Sequence, residues 1–375
     1  MEYFITKYDC DCPPASESAV LEDSIMHRGR PVTAGSAILK NFISPLSATV
    51  VTRLETAGIT ILGKTKMDEF GIAGLFIDAP SETSGAVSAV ADGAASFALC
   101  NDYTGAISRQ ASARGICHIR PTYGTVSRYG LIPAAPSMDQ ICILAKTPQE
   151  GFRVLSIIAG HDPKDGAMYN VQTAADGGQR TTESGRLRIG LPKNVLAQTS
   201  DISAVEELAK SFDTVEFELK YFDIFSQIMQ ILCCAEISGG ISRYDGIKYG
   251  YRPDSFANLH ELYTKSRTEA FGQYAKLAAI IGAMALSQEN YLRFYDKAMR
   301  IRRLIRDCLE FDRYDVIAMP ASGAEPDRRL ALNSLPQLCG LPAVTMPFGN
   351  GVTLIADVMR EDMLFAMSSA VKTTS

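Results

Sequence analysis

Residues 81–146 read SETSGAVSAVADGAASFALCNDYTGAISRQASARGICHIRPTYGTVSRYGLIPAAPSMDQICILAK. Two short loops of glycine and hydroxyl residues, 81–85 and 102–105, flank an alanine-rich segment, 86–99. Small residues let backbone N–H groups approach a ligand closely and form a concavity that binds anions or oxyanions. They also let a helix pack tightly against a sheet. On composition alone, close packing is the favoured interpretation.

The order of the residues adds a resemblance to the amidase signature family. Residues 100–115 (CNDYTGAISRQASARG) and 120–130 (RPTYGTVSRYG) resemble the family strings G-S-D-T-G-G-S-I-R-Q-P-A-S and K-P-T-Y-G-R-V-S-R-Y-G-L. Residues 235–252 resemble a string particular to the A subunits of tRNA-dependent amidotransferases. The resemblance spans residues 31–370 and implies the amidase-signature α/β fold, a mixed twisted β-sheet flanked by helices on both sides.

Periodicity alone also predicts the α/β class, because helix and strand patterns alternate along the chain. Thr147-Pro-Gln-Glu150 has the capping residue, the early proline and the glutamate of a helix start. Residues 141–145 form an apolar run typical of a strand. We expect an irregular N-terminal segment over residues 1–30, with one short strand at 3–6, and a single amidase-signature domain over residues 31–375.

The positions that carry the family's chemistry hold other residues here. An ungapped alignment places the family's nucleophilic serine on Ala106 and its two loop serines on Glu82 and Thr83. The resemblance implies that the first loop serine relays a proton between a lysine and the nucleophile. A methyl group cannot attack a carbonyl, and the loss of one member of such a unit removes most of the catalysis. The sequence therefore predicts a non-catalytic protein that acts as a binding or structural subunit.

The family's catalytic lysine ends a strand that reads I-A-I-K-D-N. The similar string in this chain is Phe4-Ile-Thr-Lys7-Tyr-Asp9. It lies further from the next matched segment than the family spacing allows. We therefore interpret Lys7 as an ordinary charge at a strand end, and we expect the family's N-terminal segment to be missing or rewritten.

The oxyanion-hole loop of the family corresponds to Tyr103, Thr104, Gly105 and Ala106. Its shape can persist, because any non-proline residue supplies a backbone amide. The alternative hypothesis is an active amidase or glutaminase, a carbon–nitrogen ligase with glutamine as amido donor. In that hypothesis compensating gaps place Ser108, or another unrecognised residue, at the nucleophile position.

Two further residues belong to the family's glutamine pocket by resemblance, Tyr244 and Arg267. A guanidinium suits a bidentate grip on a carboxylate. An equal alternative is that Arg267 caps a helix or pairs with a nearby acid. The family also carries an aspartate that holds the substrate's amino group, and residues 330–338 offer no acid at that place.

Amino-acid composition and charge exclude several classes of protein. The chain has 375 residues, of which 46% are hydrophobic and 21% charged, a profile of ordinary globular proteins. A net charge of −5 without a basic cluster argues against direct nucleic-acid binding. No apolar run is expected to span a bilayer and no signal peptide is expected, so we predict a cytoplasmic protein without membrane contact.

Nine cysteines and four histidines show no metal-ligand spacing, so neither a metal nor a cofactor is expected. The partners that the resemblance implies are the B and C subunits of an amidotransferase. A small amide or amino acid is the ligand it implies.

Overall fold

The computed structural model describes residues 3–9, 17–79, 84–169 and 187–371. Within these ranges the strands are β1 (Phe4–Lys7), β2 (Ser18–Glu22), β3 (Thr60–Thr65), β4 (Phe97–Asn101), β5 (Cys117–Arg120), β6 (Ile141–Ala145), β7 (Arg188–Pro192), β8 (Asp213–Phe217), β9 (Val316–Pro320), β10 (Ala343–Met346) and β11 (Val352–Ala356). These eleven described strands form one sheet, in the order β1-β3-β2-β4-β6-β5-β10-β11-β9-β7-β8.

The helices of the same ranges are α1 (Thr49–Thr56), α2 (Gly85–Ala91), α3 (Ala106–Ala113), α4 (Pro148–Ile158), α5 (Lys193–Leu196), α6 (Ser203–Ala209), α7 (Phe225–Ile241), α8 (Leu259–Ala270), α9 (Gln273–Leu286), α10 (Tyr295–Asp307), α11 (Arg329–Leu332), α12 (Leu335–Cys339) and α13 (Glu361–Ala370). Short 3₁₀ helices cover Ala37–Leu39, Glu69–Leu75, Phe222–Ile224 and Pro326–Arg328.

The sheet is mixed and covered on both faces. β2 pairs in parallel with β3 and β4, whereas β4, β6, β5, β10, β11 and β9 pair antiparallel in succession. Along β2, Ala19 and Leu21 belong to one hydrophobic cluster and Val20 to another. Because successive side chains point to opposite faces, each face of this strand lies under its own apolar layer. The expected α/β class, a mixed β-sheet flanked by helices on both sides, is confirmed.

The N-terminal segment differs from the expectation of irregular structure over residues 1–30. The predicted strand near residues 3–6 is present as β1, but β2 was missed. Ala19, Val20 and Leu21 in β2 are fully buried, and the strand lies between β3 and β4. Three apolar residues without alternation give a weak strand signal, and pairing with two neighbours decides the structure. The single domain over residues 31–375 stays a prediction.

One apolar helix also differs from expectation. Within the described ranges, residues 222–241 are long and apolar enough to cross a membrane, although no such run was expected. Half of this segment is buried inside the fold. The Ser238 hydroxyl of α7 donates to the Ala279 carbonyl of α9 at 3.0 Å. Core helices pass the same test of length and composition, so the segment gives no membrane assignment.

Candidate functional site

A cavity of about 150 Å³ lies at the carboxyl ends of the parallel strands β2, β3 and β4. Glu22 reaches it from the end of β2, residues 66–68 from the segment after β3, and Asn101 from the end of β4. Carboxyl ends of parallel strands meet at one edge of a sheet, which is where open α/β sheets form ligand crevices. The start of α3 and the residues around α11 complete the wall.

The small-residue loop of residues 102–105 turns the chain from β4 into α3. Gly105 has a φ of 78°, which a residue with a side chain rarely adopts. The Asp102 carboxylate accepts hydrogen bonds from the amides of Ile107 at 3.3 Å and Ser108 at 2.8 Å. These bonds satisfy amides that the first turn of a helix leaves free, so Asp102 fixes the start of α3.

Four loop residues were predicted to keep an oxyanion-hole backbone. The Ala106 amide donates to the Thr104 hydroxyl at 3.3 Å. The amides of Tyr103, Thr104 and Gly105 have no hydrogen-bond partner among the described residues. Unpaired amides of this kind are available to an anion or a polarised carbonyl.

The loop is packed closely by two other segments. A Cβ built on Gly105 would collide with the backbone of Asn333, just after α11. A Cβ built on Gly74 would collide with the Thr104 hydroxyl and lie 3.1 Å from the Ala106 Cβ. The Ala106 methyl group therefore lies directly beside the 3₁₀ helix Glu69–Leu75.

Three described hydroxyl residues line the cavity: Ser84, Thr104 and Ser226. The Ser84 hydroxyl accepts from the Ala86 amide as the N-cap of α2, and the Thr104 hydroxyl accepts from the Ala106 amide. The Ser226 hydroxyl donates to the Asp327 carbonyl at 3.4 Å. Each hydroxyl forms a hydrogen bond with a backbone group, whereas a nucleophilic hydroxyl needs a base as its hydrogen-bond partner.

Ser108, the fallback nucleophile, is not among the residues that line this cavity. Its side chain is 6% exposed. The hydroxyl donates to the Gly105 carbonyl at 2.9 Å, a bond back to the preceding turn of the helix. Glu82 and Thr83, the predicted loop positions, lie outside the described residues.

Glu22 is the site residue that sequence reasoning missed. It is 1% exposed, and its carboxyl group accepts from the Ser24 hydroxyl at 2.7 Å and from the Asn101 amide at 3.3 Å. Burial, reinforced by the charges of Asp68 and Asp102, raises the pKa of Glu22 to about 8. At neutral pH the cavity therefore holds a mostly protonated carboxylic acid at the end of β2.

A buried polar network supports the floor of the site. Arg120 is 1% exposed and donates to the carbonyls of Asp102 and Met138, both at 2.9 Å. His118 Nε2 lies 3.4 Å from the Asp102 carboxylate. Burial lowers the pKa of His118 to about 4, so the imidazole is neutral. These contacts of Arg120 and His118 with Asp102 fix the position of the loop after β4.

The structure places Tyr244 and Arg267 apart from the residues that line this cavity. Tyr244 is 6% exposed and stacks on Phe70 with ring centroids 5.7 Å apart. Arg267 donates to the carbonyl of Ser242 at 2.7 Å and to that of Tyr244 at 3.4 Å. Ser242 ends α7, so this geometry matches the helix-capping alternative. A role for either residue in binding glutamine stays a prediction.

No group of three or more His, Cys, Asp or Glu side chains within the described ranges could hold a metal ion. The cavity lining offers backbone amides, the protonated Glu22, two guanidinium groups and the side chains of Lys66, Asp68, Asp102 and Asp327. This set can bind polar or anionic organic groups by hydrogen bonds.

The mixed sheet, the small-residue turn and the cavity beside it define an α/β protein with a ligand crevice at the carboxyl ends of parallel strands. The amidase family model matches residues 19–75 and 83–354 of the chain. The chain therefore belongs to the amidase family.

Two relatives show which branch of that family is similar. The A subunit of glutamyl-tRNA(Gln) amidotransferase from Trichodesmium erythraeum (strain IMS101) is 34% identical, over 92% of this chain and 81% of its own length. The corresponding protein of Acinetobacter baumannii (strain AYE) is 36% identical, over 92% of this chain and 80% of its own length.

Solved structures give the same fold. The crystal structure of the A subunit of glutamyl-tRNA(Gln) amidotransferase from Thermotoga maritima has a TM-score of 0.76 at 24% identity, over 100% of this chain and 87% of that one. The peptide amidase of Stenotrophomonas maltophilia has a TM-score of 0.75 at 24% identity, over 94% and 81%.

The family match begins at residue 19 and therefore includes β2. Residues 19–24 read AVLEDS, so comparison with I-A-I-K-D-N places Glu22 where the family has its lysine. The lysine-bearing strand of the family thus has its counterpart in β2, and this comparison aligns Glu22 with the lysine. Lys7 lies elsewhere, exposed at the end of β1. Asp23 was the signal in the sequence that could have identified this strand, because it matches the aspartate that directly follows the family's lysine.

Proposed function

We propose that this protein is a non-hydrolysing member of the amidase family that acts as a binding or structural subunit. The observation that carries the proposal is the first side chain of α3: Ala106 lines the cavity with a methyl group. A methyl group has no lone pair to attack a carbonyl, and covalent amide hydrolysis requires an activated nucleophile.

The residue at the lysine position supports the same proposal. Glu22 lines the cavity together with Ala106, and its raised pKa keeps it mostly protonated at neutral pH. A protonated carboxyl group cannot accept a proton from a nucleophile. Ala106 therefore stands where a nucleophile is needed, and Glu22 stands where a basic group is needed. Neither side chain can perform that role.

The partners follow from the relatives. Since those relatives are A subunits of glutamyl-tRNA(Gln) amidotransferase, we propose that this chain associates with B and C subunits of such an enzyme. A net charge of −5 supports a role in which another subunit contacts the tRNA. A cytoplasmic location, away from membranes, is part of this proposal.

A second candidate is an active amidase or glutaminase with an unrecognised nucleophile. The unpaired amides of Tyr103, Thr104 and Gly105 favour it, because they keep the capacity to stabilise an oxyanion. The Ser108 hydroxyl argues against it, because it bonds a carbonyl and lies outside the cavity lining.

The test is ammonia release by the purified protein from glutamine, asparagine and a panel of simple amides. We expect no release above a heat-killed control. Turnover that is abolished by Ser108→Ala would establish the second candidate. Turnover that survives this substitution would also contradict the proposal, and would require a different nucleophile.

A further inference from the structure

Two guanidinium groups line the cavity without an ion-pair partner among the described residues. Arg109 lies on α3, and Arg329 is the first residue of α11. Neither side chain forms an ion pair or a hydrogen bond with any described residue. Arginines close to them in sequence are paired: Arg114 with Asp92 at 2.7 Å, and Arg328 with Asp223 at 3.0 Å. The two arginines at the cavity therefore differ from these sequence neighbours in having no such partner among the described residues.

The two unpaired charges also repel each other. Partial burial and the neighbouring charge of Arg329 both lower the pKa of Arg109, and the attraction of Asp102 offsets this effect only in part. A cation that is partly withdrawn from water beside a second cation is unfavourable unless an anion joins the pair. Arg329 is exposed and in contact with water, so the half-buried Arg109 is the group that gains most from a negatively charged group beside the two side chains.

The acids of the cavity do not supply that group. Asp102 uses its carboxylate on the amides of α3, and Asp68 accepts from the Ala73 amide at 2.7 Å. Glu22 is mostly protonated at neutral pH. Asp327 is exposed at the rim and forms no ion pair with either arginine. None of the described acids of the cavity therefore neutralises the two guanidinium groups, which leaves them available to an anionic ligand.

The position of Arg109 indicates what the ligand looks like. Ala106 and Arg109 are three residues apart on α3, so they share one face of the helix about one turn apart. A molecule held by Arg109 therefore extends along this face towards Ala106 and the unpaired amides of the loop. Those amides and the protonated Glu22 are hydrogen-bond donors, which suit a second oxygen-bearing end of the ligand.

We propose that this cavity binds a small aliphatic carboxylate, with one carboxylate held by Arg109 and Arg329 and a second oxygen-bearing end at the loop amides. This proposal names the class of ligand that the non-hydrolysing site binds. It rests on the proposed function of a binding subunit.

The test uses three probes of one length: glutarate with two carboxylates, glutaramate with one, and glutaramide with none. Melting temperatures are measured with each probe at constant ionic strength, because a ligand of the folded state raises the melting temperature by mass action. We expect the largest rise with glutarate, a smaller one with glutaramate and none with glutaramide.

Variants assign the rise to the two arginines. Arg109→Gln and Arg329→Gln are each expected to weaken glutarate binding by about tenfold or more, because each removes a charge-assisted hydrogen bond. Arg109→Lys retains the charge and is expected to keep part of the rise. The matched control is Arg114→Gln. Arg114 lies directly after the same helix and forms an ion pair with Asp92. This variant is expected to bind glutarate as the unmodified protein does.

Three outcomes would overturn the inference: an equal rise with glutaramide, an unchanged rise in both glutamine variants, or an equal rise with inorganic phosphate. Ammonia release from glutaramate is measured on the same samples. Release would contradict the proposed function and leave the carboxylate site standing. No rise and no release would contradict the carboxylate site alone.

Discussion

The backbone amide of Asn101 donates to the Glu22 carboxyl group at 3.3 Å, across the adjacent parallel strands β4 and β2. This bond joins the acid aligned with the family's lysine to the strand that leads into the loop before Ala106. It fixes Glu22 in a buried position where it has lost contact with water. The protonation state of Glu22 is therefore coupled to the stability of the fold.

The contribution of Glu22 to the free energy of unfolding is expected to fall as the pH rises from about 4.5 to about 8. The folded-state pKa of Glu22 is raised to about 8 from a usual value of 4.5, so in this window the folded state binds the proton and the unfolded state does not. The stabilisation is complete below the lower pKa and is lost as the pH passes through the upper one. Glu22→Gln is expected to remove this pH dependence. The loss of stability that it removes is on the order of a few kcal/mol across the whole window.

Urea unfolding of the unmodified protein and Glu22→Gln at pH 5.5 and pH 7.5 measures the effect. The upper limit stays below pH 8, because burial lowers the pKa of Lys64 to about 8 and titration of this group around that pH adds its own pH dependence. Equal pH slopes in the two proteins would contradict the assignment of the proton to Glu22.

Ala106→Ser alone is expected to restore no amide hydrolysis. A serine at this position gains a hydroxyl, but Glu22 at the lysine position is mostly protonated and cannot accept the proton. The measurement is ammonia release from glutamine, with a melting curve to show that the variant is folded. Turnover in the single variant would mean that a base acts on residue 106, and would exclude Glu22 as the group that keeps the site inactive.

Gly74→Ala is expected to destabilise the fold by about 1–3 kcal/mol, because its Cβ would collide with the Thr104 hydroxyl beside Ala106. The control is Gly239→Ala in α7, where a Cβ meets nothing within 4 Å. That change is expected to stabilise by about 0.5–1 kcal/mol, since alanine favours a helix over glycine. Free energies of unfolding with the same sign in both variants would argue against the close packing at Gly74.

Arg267→Ala is expected to lower stability by about 1 kcal/mol through loss of the bonds to the carbonyls of Ser242 and Tyr244. The melting-temperature rise with glutarate is expected to persist, because Arg267 lies outside the cavity lining. Loss of a glutamine-induced or glutarate-induced rise in this variant would instead assign Arg267 to ligand binding.

Several local features could be predicted from the sequence. The predicted strand over residues 141–145 is β6, and Thr147 with Glu150 forms the expected capping box at the start of α4. These features depend on side-chain pattern and on bonds within one turn of helix, so neighbouring residues suffice to specify them. β2 could not be predicted in the same way, because it depends on two distant strands beside it.

The sequence by itself determined the α/β class, the family resemblance and the methyl group at residue 106, because these are matters of residue order. Only the tertiary structure decided which groups share the cavity with that methyl. Glu22 comes from β2 and Arg329 from α11, both far in the chain from Ala106 and Arg109 on α3. The raised pKa of Glu22 and the lowered pKa of Arg109 depend on burial and on nearby charges, which exist only once the sheet has brought the three segments together.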